Sequence, residues 1–202
     1  MKTSPFLILL FLLIFTTQIN AQSSTVKASF TVQLREEEGD LNNDRIEDKI
    51  ILSMDTVDQR RPIQLGIFLS RPDGKLKLVV SATQIIEAMY SNGGKNQTSE
   101  YQIPTFIIED GILNMISEIK GGMASYSFKY QKENFELIHI SKGTWDGKNT
   151  TTESEYNLHT GLKIDVEKNL GSEKILNKRE KKMQLKSLPK IQDLKHTDFQ
   201  NY

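Results

Sequence analysis

GDLNNDRIEDKIIL, residues 39–52, is the stretch from which the rest of the chain is read. It places Asp40, Asn42, Asp44 and Asp48 within nine residues and runs straight into Lys49-Ile50-Ile51-Leu52. An acidic bend that feeds an apolar run predicts a loop followed by a central β-strand over residues 49–54. Working outward, the residues on either side repeat with period two. Val26, Ala28, Phe30, Val32 and Leu34 alternate with polar neighbours before the bend, and Ile63, Leu65, Ile67 and Leu69 alternate after it. Side chains two apart share one face of a strand, so this pattern predicts half-buried strands.

The same reading continues down the chain. Arg71-Pro72-Asp73-Gly74 is a turn by composition, because Pro presets its φ and Gly accepts a positive one. Leu76, Leu78 and Val80 complete a hairpin. Residues 83–90 (TQIIEAMY) read as one or two helical turns or as a short strand, and residues 91–100 as a polar loop. Asp110-Gly111 between residues 105–109 and 112–119 is a strong two-residue hairpin signal. Tyr126, Phe128 and Tyr130 alternate before a turn at residues 132–134, and Phe135, Leu137 and His139 continue after it. A fourth hairpin joins Tyr156 and Leu158 to Leu162, Ile164 and Val166 through Thr160-Gly161. Beyond Asn169 the pattern weakens; Met183 and Leu185 read as a last strand, and residues 188–194 as a short helix with Pro at its first turn. The sum predicts a mainly β fold with little helix, an antiparallel sheet of consecutive hairpins arranged as a sandwich, barrel or meander.

The chain opens MKTSPFLILLFLLIFTTQINAQ, with one Lys, an apolar run of about ten residues and a small residue at Ala21. This is the layout of a secretory signal peptide over residues 1–21, cleaved before Gln22; the run is short of the roughly 20 residues that span a bilayer. No Cys occurs in the chain, so lipid attachment at a cysteine is excluded and no disulfide can brace the fold. Export predicts a secreted or periplasmic protein without a membrane span after cleavage. About 180 residues would remain, a length that suits one domain. We expect the β-domain over residues 22–170 and a basic C-terminal segment, partly packed or flexible, over residues 171–202. The 26 basic and 26 acidic residues balance, which argues against a nucleic-acid partner. Lys174 to Lys195 is basic, either a solvated surface or a contact for an anionic polymer.

The bend carries the sharpest chemistry. Calcium takes six to eight oxygens at about 2.3–2.6 Å, and a short loop supplies them by presenting side chains at alternate positions. Asp40, Asn42 and Asp44 stand at positions one, three and five, Ile46 at seven offers its backbone carbonyl, and Asp48 closes the set at nine. Leu41 and Ile46 are placed to turn inward as anchors. The pattern D-x-N-x-D-x-x-x-D resembles the calcium loops of FG-GAP repeats in integrin α-subunit propellers, and the single GDLNxDGxxDxxxL loops of many exported bacterial proteins. It covers about fourteen residues and implies Asp40, Asn42, Asp44 and Asp48 as side-chain ligands of a structural calcium ion. The first half also resembles dockerin and EF-hand loops, but those want an acid at position twelve, where Ile51 stands, and a helix after it. Such loops usually carry Gly where this chain has Arg45, a position that needs positive φ.

Catalytic signatures are missing. There is no Cys nucleophile, no G-x-S-x-G, no HExxH and no phosphate-binding glycine loop, and His139, His159 and His196 lack ligand spacing. Trp145 sits at a strand end, with Tyr156 on the returning strand; together they form either a platform for a sugar ring or core packing. Asn96 and Asn149 head N-x-T sequons. The expected function is an exported, calcium-stabilised β-domain that acts as a binding or structural module for an extracellular or periplasmic ligand that the sequence does not name, a glycan or cell-wall polymer being one candidate. A secreted hydrolase or polysaccharide-processing accessory is the alternative.

Overall fold

The computed structural model describes residues 29–90, 98–99, 102–172, 174–183 and 185–202. The leader assigned to residues 1–21, the Val26 and Ala28 part of the first strand, and Asn96 lie outside the described residues. The remainder is a β-meander folded into two antiparallel sheets. The first contains β1 (Phe30–Gly39), β2 (Asp48–Asp55), β3 (Ile63–Ser70) and β4 (Leu76–Ala82), side by side in that order. The second contains β5 (Thr105–Glu109), β6 (Ile112–Ile119), β7 (Gly122–Gln131), β8 (Asn134–Trp145), β9 (Thr150–Asn157), β10 (Leu162–Asn169) and β11 (Ile175–Lys182). Every neighbour within a sheet is a neighbour in sequence, so short turns alone set the topology.

Those turns follow local chemistry. Asp110 and Gly111 have φ of 51° and 72°, the doubly positive arrangement whose twist matches the flanking strands. Lys132 and Glu133 adopt the same arrangement, at 49° and 63°, without a glycine. At Arg71–Gly74 the Gly74 N–H donates to the Arg71 carbonyl at 2.8 Å, with Gly74 at φ 78°.

Alternation then builds the core. Ile50, Leu52 and Met54 of β2 and Ile63, Leu65, Ile67 and Leu69 of β3 are buried. All of these but Met54 join Leu113 and Met115 of β6, Tyr126 and Phe128 of β7, and Phe135, Leu137 and Ile140 of β8 in one cluster. Each fully buried large apolar side chain contributes about 1.5–3 kcal/mol. Three departures from the expected alternation have physical causes. A register shift between Ser127 and Phe128 turns β8 over, so Ile140 is buried in place of His139, which faces outward and meets Glu155 at 2.9 Å. A shift between Ile67 and Phe68 accompanies exposure of Leu76 and Leu78 on β4, an edge strand. Residues 83–89 form neither helix nor strand, yet Ile85 and Ile86 are buried under the sheets.

Seven strands are wider than four. Tyr156 is the one core residue of β9, β10 has none, and β11 is exposed along its whole length. The last strand is therefore residues 175–182, rather than one containing Met183 and Leu185, and the sheet crosses residue 170 without a break. The C-terminal residues return to the core. Ile191, Leu194 and Phe199 are buried, the first 3₁₀ turn (Ile191–Asp193) packs on β4 and β8, and the Leu137 N–H donates to the Pro189 carbonyl at 2.8 Å. No helix among the described residues is long and apolar enough to cross a membrane.

Candidate functional site

The bend at residues 40–48 is organised around its first and last acids. Asp40 Oδ2 accepts from the Arg45 N–H at 2.7 Å, and Asp40 Oδ1 from the N–H groups of Asp44 at 3.1 Å and Asn42 at 3.3 Å. Asp44 Oδ1 accepts from the Ile46 N–H at 2.8 Å, and Asn42 Oδ1 from the Asp44 N–H at 2.9 Å. Side-chain oxygens thus replace a regular backbone ladder, the usual way Asp and Asn hold a tight bend. Asn43 and Arg45 take φ of 62° and 69°, so Arg45 adopts the left-handed conformation its position requires. Leu41 is the anchor, buried, and Ile46 is half-buried.

Asp48 differs from the other three. It is fully buried, its Oδ2 accepts from the Leu41 N–H at 2.9 Å, and its Oδ1 accepts from the Ser70 N–H at 2.8 Å. Burial pushes its carboxyl above the usual range; the two amides oppose the shift, while Asp44 and Asp40 add to it. The carboxylates of the bend therefore repel one another. The Nδ2 of Asn42, 2.9 Å from Asp44 Oδ2, is the one side-chain donor that faces them among the described residues.

The bend also lies where the two sheets meet. A Cβ on Gly111 would come within 2.4 Å of Asn43 Nδ2, and one on Gly39 within 2.7 Å of Ile108 Cγ2. Asp48 reaches the end of β3 through Ser70, and Asn43 abuts the β5–β6 turn. Among the described residues no three His, Asp or Glu side chains form a ready-made metal cluster. The donor set still suits a hard cation. A carboxylate offers about four lone-pair directions, and the hydrogen bonds above leave at least one open on each of Asp40, Asn42, Asp44 and Asp48. Arg45→Gly removes a strained φ and a repelling charge. It is expected to tighten calcium binding about fivefold, equivalent to about 1 kcal/mol, as read by calorimetric titration; unchanged or weaker affinity would place Arg45 outside the field of the ion.

Trp145 and Tyr156 do not form a common platform. Their strands pair as Trp145 with Thr151 and Ile140 with Tyr156, in continuous register, so the two rings lie on opposite faces of the sheet. Tyr156 is buried, whereas Trp145 is half-exposed and its Nε1–H donates to the Lys148 carbonyl at 3.1 Å. Trp145 is therefore not core either; Met123, also half-exposed, and the open surface above Gly143 lie beside it.

A feature that sequence reasoning missed lies at the far end of β3 and β6 from the bend. A cavity of about 1040 Å³ opens there, with Ile85, Ile86, Met89, Ile103, Met115 and Ile119 among its walls. Tyr126, on the same wall, is 1% exposed, and its hydroxyl has no hydrogen-bond partner. Such a group costs about 1–3 kcal/mol. Burial pushes the Tyr126 phenol up to about 12, so it remains a protonated donor. Phe199 packs on it, ring centroids 4.2 Å apart. Lys142, beside it on β8, donates to the Phe199 carbonyl at 3.1 Å and to a main-chain oxygen of Tyr202, the last residue, at 2.6 Å. Burial lowers the Lys142 ammonium from its ordinary value, and nearby Lys163 adds to the effect against Asp165. The cavity draws on β1, β3, β6 to β10 and the C-terminal residues, a convergence that no local pattern announces.

Neither a family model, nor a curated protein, nor a solved structure matches this chain.

Proposed function

We propose that this chain is an exported β-domain, stapled by calcium at residues 40–48, that acts as a binding module through the cavity at the opposite end of its sheets. The observation that carries the binding role is the orphaned Tyr126 hydroxyl in the wall of a cavity of about 1040 Å³. A buried donor without a partner beside open, largely apolar space fits the usual anatomy of a small-ligand site. The calcium role rests on the four oxygen-bearing side chains of the bend and on their place between the sheets. There the ion would be structural: Asp40, Asn42, Asp44 and Asp48, with the Ile46 carbonyl, would hold it. Its charge would offset the repulsion among the acids.

A second reading keeps a glycan or cell-wall polymer as ligand, on the outer face around Trp145. The half-exposed indole beside Met123 and Gly143 favours it. The hydrolase alternative needs two acids across a cleft, one of them raised. The Asp48 carboxyl, which burial raises, is enclosed by backbone amides rather than facing a cleft.

Native mass spectrometry of the protein recovered from the exported fraction tests the proposal. The expected species begins at Gln22, carries one calcium ion and retains a small molecule that Phe199→Ala or a cavity-filling Ser117→Trp releases. A chain that retains Met1 would end the export reading. A metal-free, ligand-free species in calcium-containing buffer would count against both binding roles.

A further inference from the structure

The C-terminal residues divide at Lys195. Before it, the chain is riveted to the sheets. Ile191 and Leu194 are buried, the Pro189 carbonyl accepts from the Leu137 N–H at 2.8 Å, and Lys190 bridges to Glu136 of β8. After it, the chain lies across the cavity. Lys195 is extended, at φ −111° and ψ 153°, and leads into a second 3₁₀ turn (His196–Asn201). His196, Phe199, Gln200 and Tyr202 line the cavity, and Phe199 is the one buried side chain among those described in residues 195–202. Two residues of the body hold this part by polar contacts. The Gln84 carbonyl accepts from the His196 N–H at 2.8 Å, and Lys142 donates to main-chain oxygens of Phe199 and Tyr202. Gln84 itself belongs to residues 83–89, which form neither helix nor strand. Beneath the turn, the Phe199 ring packs on Tyr126, whose hydroxyl is sealed from solvent without a partner. Closure thus buries one ring and strands one donor, effects of similar size and opposite sign. The Gln84 and Lys142 contacts decide the balance. Ile191 and Leu194 strand nothing, and to lift them would uncover the core.

We propose that residues 195–202 are a hinged cover, pivoting at Lys195, that opens and closes over the Tyr126–Lys142 end of the cavity and sets how fast an occupant enters and leaves. This deepens, and rests on, the reading of the chain as a binding module. Opening hydrates the Tyr126 hydroxyl and frees Lys142, while residues 188–194 stay docked. Because entry and exit both wait for the same opening, the cover governs rates more than affinity. It does not select the occupant's charge.

Two measurements on the full chain test this. Native-state hydrogen exchange reads the cover without any ligand. The His196 amide should be protected at least a hundredfold less than the Leu137 amide, which the docked part holds. Tyr126→Phe removes the stranded donor and should raise His196 protection about tenfold. Stopped-flow fluorescence with the neutral dye N-phenyl-1-naphthylamine reads the gate. In Tyr126→Phe the association and dissociation rates should both fall about tenfold, with Kd within about a factor of two; in Phe199→Ala both rates should rise. A residue that only shaped the cavity wall would change dissociation and Kd and leave association alone. Tyr126→Phe keeps the overall shape of its side chain, so the test stands if Phe199→Ala does not fold. Equal protection of His196 and Leu137 in the wild type would overturn the cover. Dye binding with association rates unchanged by the substitutions would overturn the gating and leave the binding module standing. No dye binding by the wild type or either variant would overturn the binding module and the gating with it.

Discussion

Asp48→Ala is expected to lower the unfolding free energy by about 2–4 kcal/mol and to abolish any response to calcium. The substitution leaves the N–H groups of Leu41 and Ser70 without acceptors, and each such loss inside a protein costs about 1–3 kcal/mol. Relief of the desolvated charge offsets part of this, which is why the sum is not the full pair of penalties. Asp44→Ala provides the contrast. Asp44 is exposed and serves amides within the bend, so its removal in chelator should cost under about 1 kcal/mol while still erasing the calcium effect. Urea unfolding of both variants in chelator measures the difference. Equal, small losses would mean that Asp48 does not tie the bend to β3.

Gly122→Ala is expected to be nearly as damaging, by about 2–3 kcal/mol. Gly122 pairs with Thr144 where β7 begins. A Cβ there would stand 1.9 Å from the Gly143 carbonyl oxygen and 2.9 Å from the Gly143 carbonyl carbon and Thr144 Cα. These are backbone atoms of the paired strand, which cannot swing aside as a flexible side chain would. The ladder between β7 and β8 would have to part at the cavity end. Gly143→Ala, one strand away, meets nothing within 4 Å and should stay within about 0.5 kcal/mol of the wild type. Thermal unfolding of the pair checks this; comparable melting temperatures would show that β7 and β8 can separate there at little cost.

What the sequence made legible was local. Period-two alternation and the Asp110-Gly111 turn gave β2, β3, β5, β6 and β7, because in those strands one face meets the core and the other meets water. It failed where that asymmetry disappears. β11 reads Ile175-Leu-Asn-Lys-Arg-Glu-Lys-Lys182 and is wet on both faces, so no alternation marks it. Ile85 and Ile86 are buried by chain that has no repeating structure and hence no period. His139 and Ile140 exchanged faces through a register shift invisible in composition. The bend at Asp40–Asp48 could be read because its residues are contiguous, down to the positive φ at Arg45. The cavity could not be read, because Tyr126, Lys142, Lys163 and Phe199 come together only when the meander and the C-terminal turn close.

Thermal unfolding in millimolar calcium and in excess chelator, on the wild type and on Asp44→Ala, tests the calcium staple most directly. Calcium at a hundred times its dissociation constant would stabilise the fold by about 2.7 kcal/mol, which corresponds to a rise of about 5–10 °C for a domain of this size. The account predicts that rise in the wild type and its loss in Asp44→Ala; no rise in the wild type, or one that survives the substitution, would contradict it.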